Sequence, residues 1–204
     1  MTSWDTSDIV GPDGEDWRVP VTELAARQTR LSGLLAEAQM PGALIQHPVD
    51  LYYYGGGRQD GSLFIPAKGA GGSVEAGGNG PVAFVRRSFK RAVWEAGGDD
   101  APHLVEAFPR LSTFAETLRG MGVNGAPALQ FGEAPGSFTA RFASGLSSRG
   151  ESGDATSIIH RQRGHHIYSY LITFRDPCGL GTPVYFLNTH NPVSYTHLTL
   201  PTKA

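Results

Sequence analysis

The chain has 204 residues, with 17 Lys and Arg against 19 Asp and Glu, a formal net charge of −2. Glycine takes 27 positions and proline 14, together about a fifth of the chain against a typical share of roughly 12%. Length allows one domain, punctuation excludes a long helical rod, and the balanced charge gives no support for a nucleic-acid partner.

Residues 1–18 carry Asp5, Asp8, Asp13, Glu15 and Asp16 and read as a flexible acidic arm. Pro20 to Gln39 reads as a helix, because Leu24, Leu31, Leu34, Leu35 and Ala38 fall on one stripe. Thr22 is the expected N-cap, and Pro41-Gly42 ends the helix. Gly42 to Ile45 is a buried strand, closed by His47-Pro48. Val49 to Tyr54 is apolar and aromatic, and Gly55-Gly56-Gly57 after it permits positive φ.

Ser62–Pro66 and Pro81–Arg86 are strands, with the Gly-rich segment 67–80 as an elongated hairpin tip between them. That tip lacks the Lys-Ser/Thr pair of a phosphate-binding loop. Ser88 caps a helix to Ala96 whose face holds Phe89, Ala92 and Val93. Leu104–Ala107 is a weak strand, Leu111–Met121 an amphipathic helix and Ala128–Phe131 a strand. Ser137–Leu146 is a helix with Phe138, Phe142 and Leu146 on one side. Strands and helices alternate, which predicts an α/β layered domain.

Few chemical motifs survive inspection. Gly120-Met-Gly-Val-Asn-Gly125 fits G-x-G-x-x-G, but a helix precedes it and a strand follows, the reverse of a dinucleotide site. No G-x-S-x-G, H-E-x-x-H or C-x-x-C occurs. His165 and His166 are adjacent and read as solvated, so a zinc enzyme built on His160, His165, His166 and His190 is set aside. No catalytic residue and no metal ligand is assigned. No apolar run approaches the ~20 residues that span a bilayer, so no membrane partner is expected. Cys178 stands alone and reads as a passive thiol, with a reducing, cytoplasmic setting as the default.

The ordered set from Arg30 to Glu95 carries more. A helix with Leu34-Leu-Ala-Glu-Ala38 runs into Gly42-Ala-Leu-Ile45. Then come Val49-Asp-Leu-Tyr-Tyr-Tyr54, Gly57-Arg-Gln-Asp-Gly61, Leu63-Phe-Ile-Pro66 and Val82-Ala-Phe-Val-Arg-Arg87. This order resembles the N-terminal domain of the creatinase, prolidase and Xaa-Pro aminopeptidase family. Weaker similarity extends to Asp154-Ala-Thr-Ser-Ile-Ile-His-Arg-Gln-Arg163, so residues 19–163 are taken as the domain.

The resemblance implies a three-layer mixed sheet flanked by helices, of the ribonuclease-H-like type. It implies a non-catalytic domain that serves subunit association and shapes the substrate entrance, in a homodimer acting on proline-containing peptides. The two divalent metal ions and their ligands belong to the family's following pita-bread domain, so no cofactor is expected in this chain and the chain alone is expected to be inactive. Arg58, Gln59, Tyr53 and Tyr54 match the position of the substrate wall; the structural alternative is that Arg58 and Asp60 brace the loop. The sequence departs from the family at Gly55-Gly56, where Thr or Ser is usual, which softens the loop.

Residues 164–192 leave the family pattern and stay unassigned, a frameshift being one explanation. Val193-Ser-Tyr-Thr-His-Leu-Thr-Leu-Pro-Thr202 looks like one frame of a sequencing adapter, so 193–204 reads as an adapter-derived tail. The alternative function is a stand-alone binding module of the same fold without peptidase activity.

Overall fold

The computed structural model describes residues 18–57, 59–133 and 136–163, with Glu75 and Phe138 described by backbone alone. Most of the predicted acidic arm, Arg58, Cys178, both predicted tail segments and the histidines at 165, 166 and 190 lie outside the described residues.

Helix α1 (Val21–Glu37) opens the domain. Leu24, Leu31 and Leu35 are buried on its inner face, as the leucine stripe predicts, and Gln28 is buried with them. Thr22 is not the cap. Pro20 holds that position at φ −55°, and its carbonyl accepts from the amides of Glu23 and Leu24. The fixed proline φ already suits the entry to a helix, so no side-chain cap forms.

The sheet has four strands in the order β1 (Gly42–Ile45), β2 (Gly61–Pro66), β3 (Val82–Val85) and β4 (Leu104–Ala107). The first two pairings are antiparallel and β3–β4 is parallel, so the sheet is mixed. β2 and β3 form the expected hairpin around the Gly-rich tip. Within the tip, Gly80 N donates to Gly72 O, and a Cβ on Gly71 would stand 1.8 Å from Gly122 O. The tip therefore folds on itself and against the turn after α4 (Phe114–Gly120). That turn takes positive φ at Gly122 and Gly125, which accounts for the glycines of the G-x-G-x-x-G run.

Side chains of the strands alternate between two apolar layers, as period two requires. Ala43, Ile45, Leu63 and Ile65 pack with Leu31 and Leu35 of α1, Tyr54 and Ile159. Leu44, Phe64, Val82 and Phe84 pack on the opposite face with Phe114 and Leu118 of α4 and with Phe142 and Leu146 of α5 (Gly136–Leu146). Phe84, Phe114 and Phe142 meet edge to face at centroid distances of 5.3–5.6 Å. The three-layer arrangement of helix, mixed sheet and helix is the fold class expected.

Three local expectations change, and the unassigned apolar run becomes a helix. The run at Val49–Tyr54 lies within helix α2 (Pro48–Gly55), with Pro48 in its first turn and Gly56 closing it at φ 77°. The strand expected at Ala128–Phe131 shrinks to two bridges, Ala43 with Ala128 and Leu129 with Asp154. The chain turns after residue 130 because the Gln130 side chain, not a strand ladder, binds the amides at the start of α2. The helix expected over Leu111–Met121 begins as a 3-10 turn, Leu111–Thr113, before α4. Helix α3 (Phe89–Ala96) begins after Ser88 as expected, but its buried residues are Ala92, Trp94, Glu95 and Ala96. Ser88 sits at φ 60° and makes no side-chain cap bond. A last helical segment, α6, covers 156–163.

Candidate functional site

The loop from Gly55 to Asp60 leaves α2 and enters β2, and it is fastened to α3 and β3. Gly56 and Gly57 allow the close approach to α3: a Cβ on Gly56 would stand 2.5 Å from Glu95 O, and one on Gly57 2.2 Å from Glu95 Oε2. Glu95 is buried, and its two oxygens accept from Gln59 Nε2 and Arg91 Nε, each at 2.8 Å. Asp60 accepts the amide of Arg86 on its carbonyl, while its carboxylate faces Arg86 Nε at 3.3 Å and Arg87 at 3.5 Å. The bracing of the loop thus runs through Glu95 and Asp60. Pro48, Tyr52, Gly56, Gln59, Arg91 and Glu95 line an open groove of about 450 Å³ beside it.

The two tyrosines named from the sequence stand behind that groove. Tyr54 has no exposed surface and packs in the core under α1; burial pushes its phenol well above the ordinary range. It packs against Leu31 and Leu35 of α1 and the sheet and is not among the residues that line the groove. Tyr53 packs edge to face on Tyr54 at 4.8 Å, and the Arg27 guanidinium lies over its ring at 4.2 Å. Burial pushes the Tyr53 phenol up to about 12, against the opposing pull of Arg27. Gln59 reaches the groove; Arg58 is outside the described residues.

At the other end of α2 lies a polar cluster that sequence reasoning missed. Asp50 is wholly buried, yet Arg163 Nη1 donates to its Oδ1 at 2.8 Å and Gln130 Nε2 to its Oδ2 at 2.8 Å. Gln130 Oε1 accepts from the amides of Gln46 and His47 at 2.7 and 3.0 Å, so one buried amide ties α2 to the segment after Leu129. His47 Nδ1 stands 3.4 Å from Asp50 Oδ2 and 3.3 Å from Glu133 Oε2. His160 Nε2 of α6 touches Glu133 Oε1, and Arg163 Nη2 is 3.8 Å from the same oxygen. His47, Asp50 and Glu133 each offer a ligand atom within 4.8 Å of the others, a spacing that could hold a metal ion. His47 and Asp50 are three residues apart, but Gln130, Glu133, His160 and Arg163 lie far from them in the chain; the readable hint is an acid, Asp50, inside an otherwise apolar run.

No family model and no curated protein matches the chain. Solved structures do. Dipeptidase PepE from Mycobacterium ulcerans superposes at a TM-score of 0.55 with 21% identity, over 72% of this chain and 38% of the dipeptidase. The N-terminal domain of the cytoplasmic peptidase PepQ from Mycobacterium tuberculosis gives 0.52 with 18% identity, over 68% of this chain and 98% of that one. An Xaa-Pro aminopeptidase chain from Streptococcus thermophilus gives 0.51 with 12% identity, over 69% and 98%. The fold is therefore that of the N-terminal domains of Xaa-Pro peptidases, and this chain spans well under half the length of the dipeptidase.

Proposed function

We propose that the chain is the non-catalytic N-terminal domain of an Xaa-Pro aminopeptidase or prolidase-like metallopeptidase. The observation that supports this is coverage: the described fold accounts for nearly the whole of isolated N-terminal domains from such peptidases. The order of motifs from Arg30 to Arg163 agrees with it independently.

In the intact enzyme the loop at Gly55–Asp60 shapes the entrance for proline-containing peptides. Gln59 and Arg58 are its reaching side chains. An arginine there suits a substrate carboxylate, since its planar fork donates two parallel hydrogen bonds. Tyr53 and Tyr54 hold α2 beneath the loop. The domain joins subunits into a homodimer, and the enzyme works in the cytoplasm. Hydrolysis belongs to a further domain, where two divalent metal ions activate the attacking water.

Reading the encoding DNA across codon 163 tests the proposal. An open frame that continues into a segment carrying two Asp, one His and two Glu ligands is the expected result. The same tail recovered from independent DNA, followed by a stop, would overturn it and leave a free-standing binding module.

A further inference from the structure

The cluster where α2 begins, where the chain turns after Gln130 and where α6 passes has a geometry that hydrogen bonding does not explain. His47 Nδ1 is buried and faces two carboxylate oxygens, yet neither approach has hydrogen-bond geometry. A single ring proton could serve only one of them. The same holds at His160, whose Nε2 meets Glu133 without a hydrogen-bond angle. The His47 nitrogen therefore faces two anionic groups with neither contact satisfied, and Glu133 meets a second imidazole at His160.

We propose that His47, Asp50 and Glu133 form a binding site for a divalent transition-metal ion, with Zn²⁺ the best fit. In a tetrahedral zinc site with bonds of roughly 2.0–2.1 Å, ligand atoms stand about 3.3–3.4 Å apart. The edges from His47 Nδ1 to Asp50 Oδ2 and to Glu133 Oε2 are 3.4 and 3.3 Å. The remaining edge, from Asp50 to Glu133, lies within 4.8 Å, and the Glu133 side chain keeps 18% of its surface exposed. One imidazole nitrogen with two carboxylate oxygens suits zinc, whereas calcium and magnesium prefer oxygen alone.

The surroundings agree with a cation. Asp50 and Glu133 bring two negative charges, and Arg163 returns one positive charge. Arg163 holds the other Asp50 oxygen, Oδ1, and Gln130 donates to the ligand oxygen Oδ2 itself, the hydrogen-bonded support that metal-binding carboxylates usually receive. Three protein ligands leave a fourth position for water. The ion would fasten the start of α2 to the turn after Gln130. The proposal does not depend on the peptidase reading.

Titration of the full chain with ZnCl2, followed calorimetrically and by thermal unfolding, tests the site. His165, His166, His190 and Cys178 are in the same chain, so a His165→Ala/His166→Ala variant serves as control. Expected is one equivalent of zinc in wild type and control, with a zinc-dependent rise in Tm. His47→Ala and Glu133→Gln each weaken binding at least about tenfold and abolish the rise. Both positions are partly exposed, so if one variant fails to fold by circular dichroism the other decides. Zinc binding that survives in both His47→Ala and Glu133→Gln but vanishes in the control would overturn the site. So would an absence of saturable binding in wild type.

Discussion

His103 has almost no exposed surface, and its Nδ1 accepts a hydrogen bond from Gln28 Nε2 at 3.0 Å. The other Gln28 amide proton goes to Tyr54 O at 2.8 Å. Burial pushes His103 down from 6.5 to about 4, so the folded protein holds the neutral ring. Above pH 6.5 both folded and unfolded chains carry it neutral, and its contribution is intact. As pH falls from 6.5 towards 4, only the unfolded chain takes up the proton, and stability drains away by up to about 3 kcal/mol. Urea unfolding across this range should show that loss in wild type and a flatter profile in His103→Gln, which keeps an acceptor for Gln28. Arg149 is a second residue with a testable part. It donates to the carbonyls of Gly125 and Ala115, each at 2.9 Å, and to that of Val123. Arg149→Ala strands these carbonyls and should cost about 1–3 kcal/mol by chemical denaturation. Neither role was legible in the sequence, because the partners are backbone groups or lie 75 residues away.

At the scale of elements, the long leucine stripe of α1 and the apolar β1, β2 and β3 were legible, since period and run length survive without tertiary knowledge. α2 was not. It has eight residues, and Leu51, Tyr52, Tyr53 and Tyr54 give no polar face to set a helical period. Pro48 in the first turn and Gly56 after the end were the readable signals. The strand at 128–131 was over-read for the opposite reason: its apolar residues are real, but Gln130 spends its side chain on α2. Two predictions belong here. Asp50→Ala leaves Arg163 and Gln130 without their buried partner and should destabilise by about 3–5 kcal/mol in a urea titration. Gly56→Ala should cost more than Gly57→Ala, at least about 2 kcal/mol, because it meets the Glu95 backbone at positive φ. At Gly57 the obstacle is the end of the Glu95 side chain, which can move at the expense of its bond to Gln59.

Across the whole molecule, the order of elements was legible while the site was not. Four strands with helices between them fix two apolar faces on one sheet, and few arrangements bury both. The loop at 55–60 showed in the sequence through its glycines and Gln59-Asp60, but the buried Asp50 cluster is assembled from α2, the turn after Leu129 and α6. Among the described residues no helix is long and apolar enough to cross a membrane. On the proposed reading, the chemistry of an Xaa-Pro peptidase lies outside this chain. Turnover of Ala-Pro and Ala-Pro-Ala by the purified chain, with Mn²⁺, Co²⁺ or Zn²⁺ supplied in turn, tests it most directly. The account predicts release of proline or alanine no faster than in a buffer blank. Metal-dependent release above that blank, lost on addition of a chelator, would contradict it.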